Sequence, residues 1–133
     1  MARAPKDDTR PLSPNIQAYR PQLTSVLSIA NRITGVVLSI GAVALVIWLV
    51  AAASGPETYY WFQSLIGSWP GQILLLGGMF AFYLHFFGGI RHLTWDTVRG
   101  FELRQIYVSG WLVVLTSIVL TLATWILIQV ITR

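Results

Sequence analysis

Residues 33–56 read ITGVVLSIGAVALVIWLVAAASGP and contain no Asp, Glu, Lys or Arg. A bilayer's hydrocarbon core is about 30 Å thick, so a helix rising about 1.5 Å per residue needs roughly 20 apolar residues to cross it. This stretch holds one crossing. Its polar N-terminal turns extend the expected helix to Ser25–Ala53. Two more stretches lack the same four residue types, Thr58–Ile90 and Gln105–Thr132. The first of these contains Pro70-Gly71, a helix-start signal with Ser68 as N-cap. It therefore holds one span, near Gly71–Trp95, preceded by a polar-aromatic loop. The last stretch holds one span near Val108–Ile131. The expected fold is all-α, a three-helix transmembrane bundle over residues 25–133 with residues 1–24 as an N-terminal segment.

Composition agrees. Of 133 residues, 55% are hydrophobic and 11% charged, whereas a soluble domain is about 25% charged. Too little charge is present to cover a water-facing surface, so most of the chain is expected to face lipid. The absence of cysteine excludes disulfides, zinc–thiolate sites, iron–sulfur ligation by this chain and a cysteine nucleophile. The net charge of +4 does not form a basic patch interleaved with aromatics, so nucleic acid is not an expected partner.

The positions of the bases give a topology instead. Arg3, Lys6, Arg10, Arg20 and Arg32 precede or open the first span. Arg91, Arg99 and Arg104 flank the second connection, and Arg133 ends the chain. The loop Ser54–Trp69 has no Lys or Arg. Positive charge stays on the cytoplasmic side, which puts the N-terminus and the second loop inside and the C-terminus outside. The outer loop carries Thr58-Tyr59-Tyr60-Trp61-Phe62 and Trp69. These amphipathic rings suit the headgroup level, on a short helix lying along the outer surface. Met1–Ala30 lacks the apolar run of a signal peptide, and Asp7 and Asp8 interrupt any presequence-like pattern. Pro5, Pro11, Pro14 and Pro21 predict an extended strap along the cytoplasmic face of a partner.

Two polar clusters fall at membrane depth, where such groups are costly and mark function. The first is Ser28-Ile29-Ala30-Asn31-Arg32-Ile33-Thr34-Gly35. Ser28 and Arg32, four apart, share a helix face, with Asn31 beside it. Together they offer a hydroxyl, an amide and a fixed cation to a partly buried carbonyl or carboxylate. Arg32 also suits a snorkelling topology anchor. The second cluster is His85-Phe86-Phe87-Gly88-Gly89-Ile90-Arg91-His92-Leu93-Thr94-Trp95-Asp96. His85 lies roughly 9 Å deeper than Arg91. Burial favours neutral imidazole, which is a metal ligand, although an interhelical hydrogen bond would equally satisfy it. Gly77, Gly78, Gly88 and Gly89 would admit another backbone or a flat macrocycle; Gly35 and Ser39 suit helix packing.

His85 and His92 cannot ligate one iron together. They share a face but stand roughly 10.5 Å apart along the axis, whereas axial haem ligands approach from opposite sides. A haem held by His85 would thus need its second ligand from another chain. His92, between Arg91 and Asp96 at the inner interface, suits a propionate or interface contact.

The chain resembles a known family at the residues just quoted. Arg10-Pro11-Leu12-Ser13-Pro14, Tyr19-Arg20, Thr24-Ser25-Val26-Leu27-Ser28-Ile29 and Arg32-Ile33-Thr34-Gly35 are similar to the cytochrome b subunit of succinate dehydrogenase, the larger membrane anchor of respiratory complex II. His85–Asp96, with Gly89-Ile90-Arg91-His92, resembles that family's second signature. The third helix matches only in type. The resemblance implies half of a heterodimeric haem-binding membrane anchor. It implies His85 as an axial ligand of haem b, with the other ligand from a small membrane-anchor subunit. It also implies that Ser28 and Arg32 bind ubiquinone, with Asn31, Arg91, His92 and Asp96 in the haem-propionate or quinone vicinity. The implied partners are that small subunit, an iron–sulfur subunit and a flavoprotein subunit. FAD and the iron–sulfur clusters belong to those soluble partners.

The implied setting is the tricarboxylic acid cycle and aerobic respiratory chain, in a bacterial inner membrane. This chain alone is not expected to oxidise succinate. Asn31 departs from the family, which usually has His there. The alternatives are a fumarate reductase-type anchor and a non-redox membrane scaffold.

Overall fold

A computed structural model describes residues 20–131. The strap expected over Pro5–Pro21 lies almost wholly outside the described residues, as does Arg133. The described chain forms four helices: α1 Leu23–Ala53, α2 Pro56–Gly67, α3 Trp69–Asp96 and α4 Leu103–Ile131. Three of them, α1, α3 and α4, are long and apolar enough to cross a membrane. The chain is a helical membrane bundle.

The spans run past the expected limits, most clearly in α4, which starts at Leu103 rather than Val108. At 31, 28 and 29 residues they are about 42–47 Å long, beyond the roughly 30 Å hydrocarbon core. The interface does not end a helix; local backbone chemistry does. Between α3 and α4, Val98 and Gly100 take positive φ of 58° and 83°, and this breaks the helical path.

The connection between α1 and α3 is the short helix α2. Pro56 occupies its first turn, where a missing N–H costs nothing. Ser68 separates α2 from α3, and its Oγ accepts from the Gly71 backbone N–H at 3.4 Å. The corner is tight: a Cβ on Gly71 would run into the Leu65 and Ile66 carbonyls. Tyr60, Trp61, Leu65 and Trp69 are exposed on this segment.

α3 is the middle helix, packed along α1 on one side and α4 on the other. The interior is small and polar. Gly110, Val113, Ser117 and Thr121 are the buried residues of α4, and Ser117 is 0% exposed. The Ser117 hydroxyl donates to the Val113 carbonyl at 2.6 Å, and that of Thr121 to the Ser117 carbonyl at 2.7 Å. Both side chains thereby satisfy their own polarity and leave a smooth surface for neighbours. The large apolar residues, Ile40, Leu74, Val119 and Val130 among them, face outward. Lipid offers apolar side chains no reason to go inside, so close packing of small residues holds the bundle. Ser117→Leu should overpack this layer by about 1–3 kcal/mol. A lowered thermal midpoint of the detergent-solubilised complex is the expected readout.

Candidate functional site

The site is built where α1 crosses α3. Asn31, Thr34 and Gly35 of α1 meet His85 and Gly88 of α3. The His85 ring lies against Gly35, whose added Cβ would sit 3.1 Å from Cε1. Gly88 lies under the Asn31 side chain, with an added Cβ 2.5 Å from Oδ1. These two glycines let the helices approach closely enough for a polar contact at their crossing.

That contact fixes the imidazole. His85 Nδ1 is 3.0 Å from the Asn31 backbone carbonyl and 3.3 Å from Thr34 Oγ1. A carbonyl oxygen can only accept, so Nδ1 carries the proton. In neutral imidazole Nε2 is then a bare acceptor. It has no hydrogen-bond partner among the described residues. The Thr34 hydroxyl is spoken for as a donor, with the Ala30 carbonyl at 2.9 Å and that of Asn31 at 3.0 Å. Its lone pairs remain to accept from Nδ1–H.

At 100° per residue, Ser28, Arg32, Gly35 and Ser39 form one strip on α1. Gly78, Phe82, His85 and Gly89 form the matching strip on α3. The two strips lie on the same side of the α1–α3 pair, because the opposite side is taken by α4. There Leu23 and Leu27 abut Gly110, and Arg91 reaches Ser109 and Ile106. The open side is therefore a trough with His85 in its floor. Gly78 and Gly89 have nothing within 4 Å of an added Cβ. Phe82 and Phe86 stack at 6.1 Å and 13° and are exposed.

The sequence-derived residues divide as follows. Asn31 and His85 are in direct contact. Ser28, half-buried, and Arg32, exposed, lie along the same open strip. His92 is half-buried, its ring edge-on to Trp95 at 5.4 Å. Asp96 ends α3 and is exposed. Arg91 stands apart. It is buried and turned to α4, with Nε donating to Ser109 Oγ at 3.0 Å and a terminal nitrogen to the Ile106 carbonyl at 3.1 Å. Its guanidinium lies 4.0 Å over the Trp95 ring. These contacts make it a cross-link from α3 to α4.

Beside the trough, a cavity of ≈ 10 Å³ is lined by Leu27, Asn31, Leu84, Gly88, Arg91, His92 and Val113. That is just room for one water. Asn31 Oδ1 is buried there without a hydrogen-bond partner among the described residues. Thr34 lies within the first polar cluster but sequence reasoning gives it no role, and Ser109 is not singled out by it. The signal for Thr34 was its spacing, three residues from Asn31, which places both on the buried side of α1.

Haem can be tested against these residues. A ligating imidazole needs a fixed tautomer, with its far N–H held by a carbonyl or similar acceptor. His85 meets this. A flat macrocycle needs room beside its ligand, and Gly78 and Gly89 leave open space on the strip that carries Phe82 and His85. Among the described residues no three metal-ligating side chains cluster. Iron here would have His85 as its ligand from this chain. The donor set fits.

Fold and site together define a three-span membrane protein with a histidine at the crossing of two spans, on a side the described residues leave open. The comparison with known proteins narrows this. The description "succinate dehydrogenase/fumarate reductase transmembrane subunit" belongs to the family model that matches residues 6–124. The chain belongs to that family and is a membrane-anchor subunit of complex II, an oxidoreductase assembly. It is 40% identical to the succinate dehydrogenase cytochrome b556 subunit of Paracoccus denitrificans over 115 residues, 86% of this chain and 88% of that one. It is 38% identical to the b556 subunit of Rickettsia typhi over 117 residues, 88% and 91% of the two chains. The b560 subunit of Reclinomonas americana is 31% identical over 125 residues, 89% and 85%. With three spans and bacterial relatives of matching length, the chain is a multi-pass protein of a bacterial inner membrane.

The contact between Gly88 and Asn31 yields a coupling test. Gly88→Ala should destabilise the complex by forcing the Asn31 side chain aside. Asn31→Ala in the same chain should recover stability, with a coupling energy of about 1 kcal/mol or more. Thermal denaturation of the single and double variants measures it.

Proposed function

We propose that this chain is the cytochrome b anchor of succinate:ubiquinone oxidoreductase, co-ligating haem b and forming part of the quinone-reduction site. One observation carries the reading: the Asn31 carbonyl holds the Nδ1 proton of His85, which leaves Nε2 free to bind iron. His85 would hold haem b from this chain, and the small membrane-anchor subunit would supply the other ligand. When bound, haem b supplies one-electron redox chemistry at His85. The other residues of the chain orient, shield and polarise.

The quinone lies toward the inner end of the open trough, at Ser28 and Arg32. The Ser28 hydroxyl donates to a quinone oxygen. Arg32 stabilises the negative charge that develops there during reduction, in a site that partner chains close off from water. Arg32 has no hydrogen bond or ion pair among the described residues, so its charge is available to a ligand. His92 and Asp96 lie at the same end of the bundle, within reach of the haem-propionate and quinone region. Asn31 contributes its carbonyl to His85 and its amide to the neighbouring cavity. Arg91 acts on this region indirectly, by fixing α3 against α4.

Electrons arrive from the iron–sulfur subunit, which receives them from the flavoprotein. This requires the quinone end to face those soluble subunits. Arg20, Arg32, Arg91, Arg99 and Arg104 gather at that end, and Glu57 lies at the other. The positive-inside rule then places it in the cytoplasm, with the N-terminus inside.

Two substitutions in the intact complex test the reading. His85→Ala should abolish the reduced-minus-oxidised b-type spectrum; an unchanged spectrum removes His85 as ligand. Arg32→Leu should lower quinone reduction by about 100-fold, the size of effect seen when a charge-stabilising donor is lost. Succinate oxidation through an artificial acceptor should survive. Equal loss of both activities would mean failed assembly, not a lost quinone contact.

A further inference from the structure

Thr34 is buried at 8% exposure in the first span, and the function above does not use it. A buried threonine in a helix ordinarily bonds back to a carbonyl one turn earlier and has no further role. Thr34 makes that bond, to Ala30 at 2.9 Å. Its oxygen also lies 3.3 Å from His85 Nδ1, on the neighbouring helix. Because the hydroxyl proton goes to the Ala30 or Asn31 carbonyl, the oxygen faces the imidazole as an acceptor. The Nδ1–H of His85 therefore has two acceptors, the Asn31 carbonyl at 3.0 Å and Thr34 Oγ1 at 3.3 Å. Gly35, the next residue, lies against the same edge of the ring, with an added Cβ 3.1 Å from Cε1 and 3.6 Å from Nδ1. The Nδ1 edge of the imidazole is thus held by two acceptors and packed against a glycine.

We propose that Thr34 is a positioning residue for the His85 imidazole, acting as second acceptor for its Nδ1–H and so setting the potential of the iron that His85 ligates. The proposal rests on the ligand reading of the preceding section and deepens it. Acceptors on the far N–H of a ligating histidine raise its basicity. A more basic ligand favours the oxidised metal, and axial ligation with its hydrogen bonding is a main determinant of haem potential. Removing one of two acceptors should therefore raise the midpoint potential. The Asn31 carbonyl, being backbone, cannot be removed by substitution, which makes Thr34 the part of this cradle that sequence can tune.

The test is redox titration of the purified, haem-loaded complex, with the low-spin electron paramagnetic resonance signal of the oxidised form as a second readout. Thr34→Val keeps the shape and removes the acceptor. It should favour the reduced form about threefold, ~28 mV for a one-electron couple, and shift the low-spin g values. Thr34→Ala should move both readouts the same way. Thr34→Ser restores the hydroxyl and should return both to wild type.

A wild-type potential in haem-loaded Thr34→Val overturns the proposal while leaving His85 as ligand. A b-type spectrum that survives His85→Ala overturns the ligand reading and this one together. Should Thr34→Val and Thr34→Ala assemble without haem while Thr34→Ser retains it, the hydroxyl is required for ligation and the proposal stands. Loss of haem in all three, or failure of Val and Ala to assemble, would make Thr34 a packing residue and overturn it.

Discussion

The arrangement turns on one hydrogen bond, from His85 Nδ1–H to the backbone carbonyl of Asn31. It joins two spans at their crossing. It needs both helices to come close, and Gly35 and Gly88 are the residues that permit this. It also assigns the ring's chemistry, because a proton committed at Nδ1 leaves a lone pair at Nε2. A helix-to-helix contact and a metal-ligand preparation are thus the same interaction. The neighbouring Asn31 amide is left with a buried, unpaired Oδ1 over a one-water cavity. A water there would satisfy it.

The rest of the bundle is arranged so that this side stays open. α4 covers the opposite flank of α1 and α3, using small residues at Gly110, Ser117 and Thr121. Arg91 ties α3 to α4 through Ser109 and the Ile106 carbonyl. This leaves Ser28, Arg32, Gly78, His85 and Gly89 on a face that the other described residues do not cover. A free imidazole nitrogen and a fixed cation on an open membrane face suit a subunit completed by others, as membership of a complex II anchor family requires.

Much of this was legible in the sequence. The three spans followed from charge-free stretches, since lipid excludes charge whatever the packing. Ser68 as N-cap followed from local backbone chemistry. His85 stood out because a deep histidine is costly in lipid. Other features were not legible, for reasons specific to each. The starts of α1 and α4 were misplaced because the apolar run marks the hydrocarbon, and helices continue beyond it. Arg91 adjoins His92 in sequence, but one residue is 100° of rotation, enough to turn it to a different neighbour. Thr34 looked like any helix threonine until the partner helix was placed against it. The close approach at Gly88 was foreseen, but its partner, the Asn31 side chain, depended on the helix register.

The central claim is that His85 binds iron through Nε2 while Nδ1 remains protonated. Pulsed electron paramagnetic resonance of the oxidised complex tests it most directly, with this chain alone carrying ¹⁵N-histidine and His92 replaced by Asn. One strongly coupled ¹⁵N from Nε2, together with a weakly coupled, proton-bearing ¹⁵N from Nδ1, is the expected result. Absence of any strongly coupled ¹⁵N from this chain would contradict it.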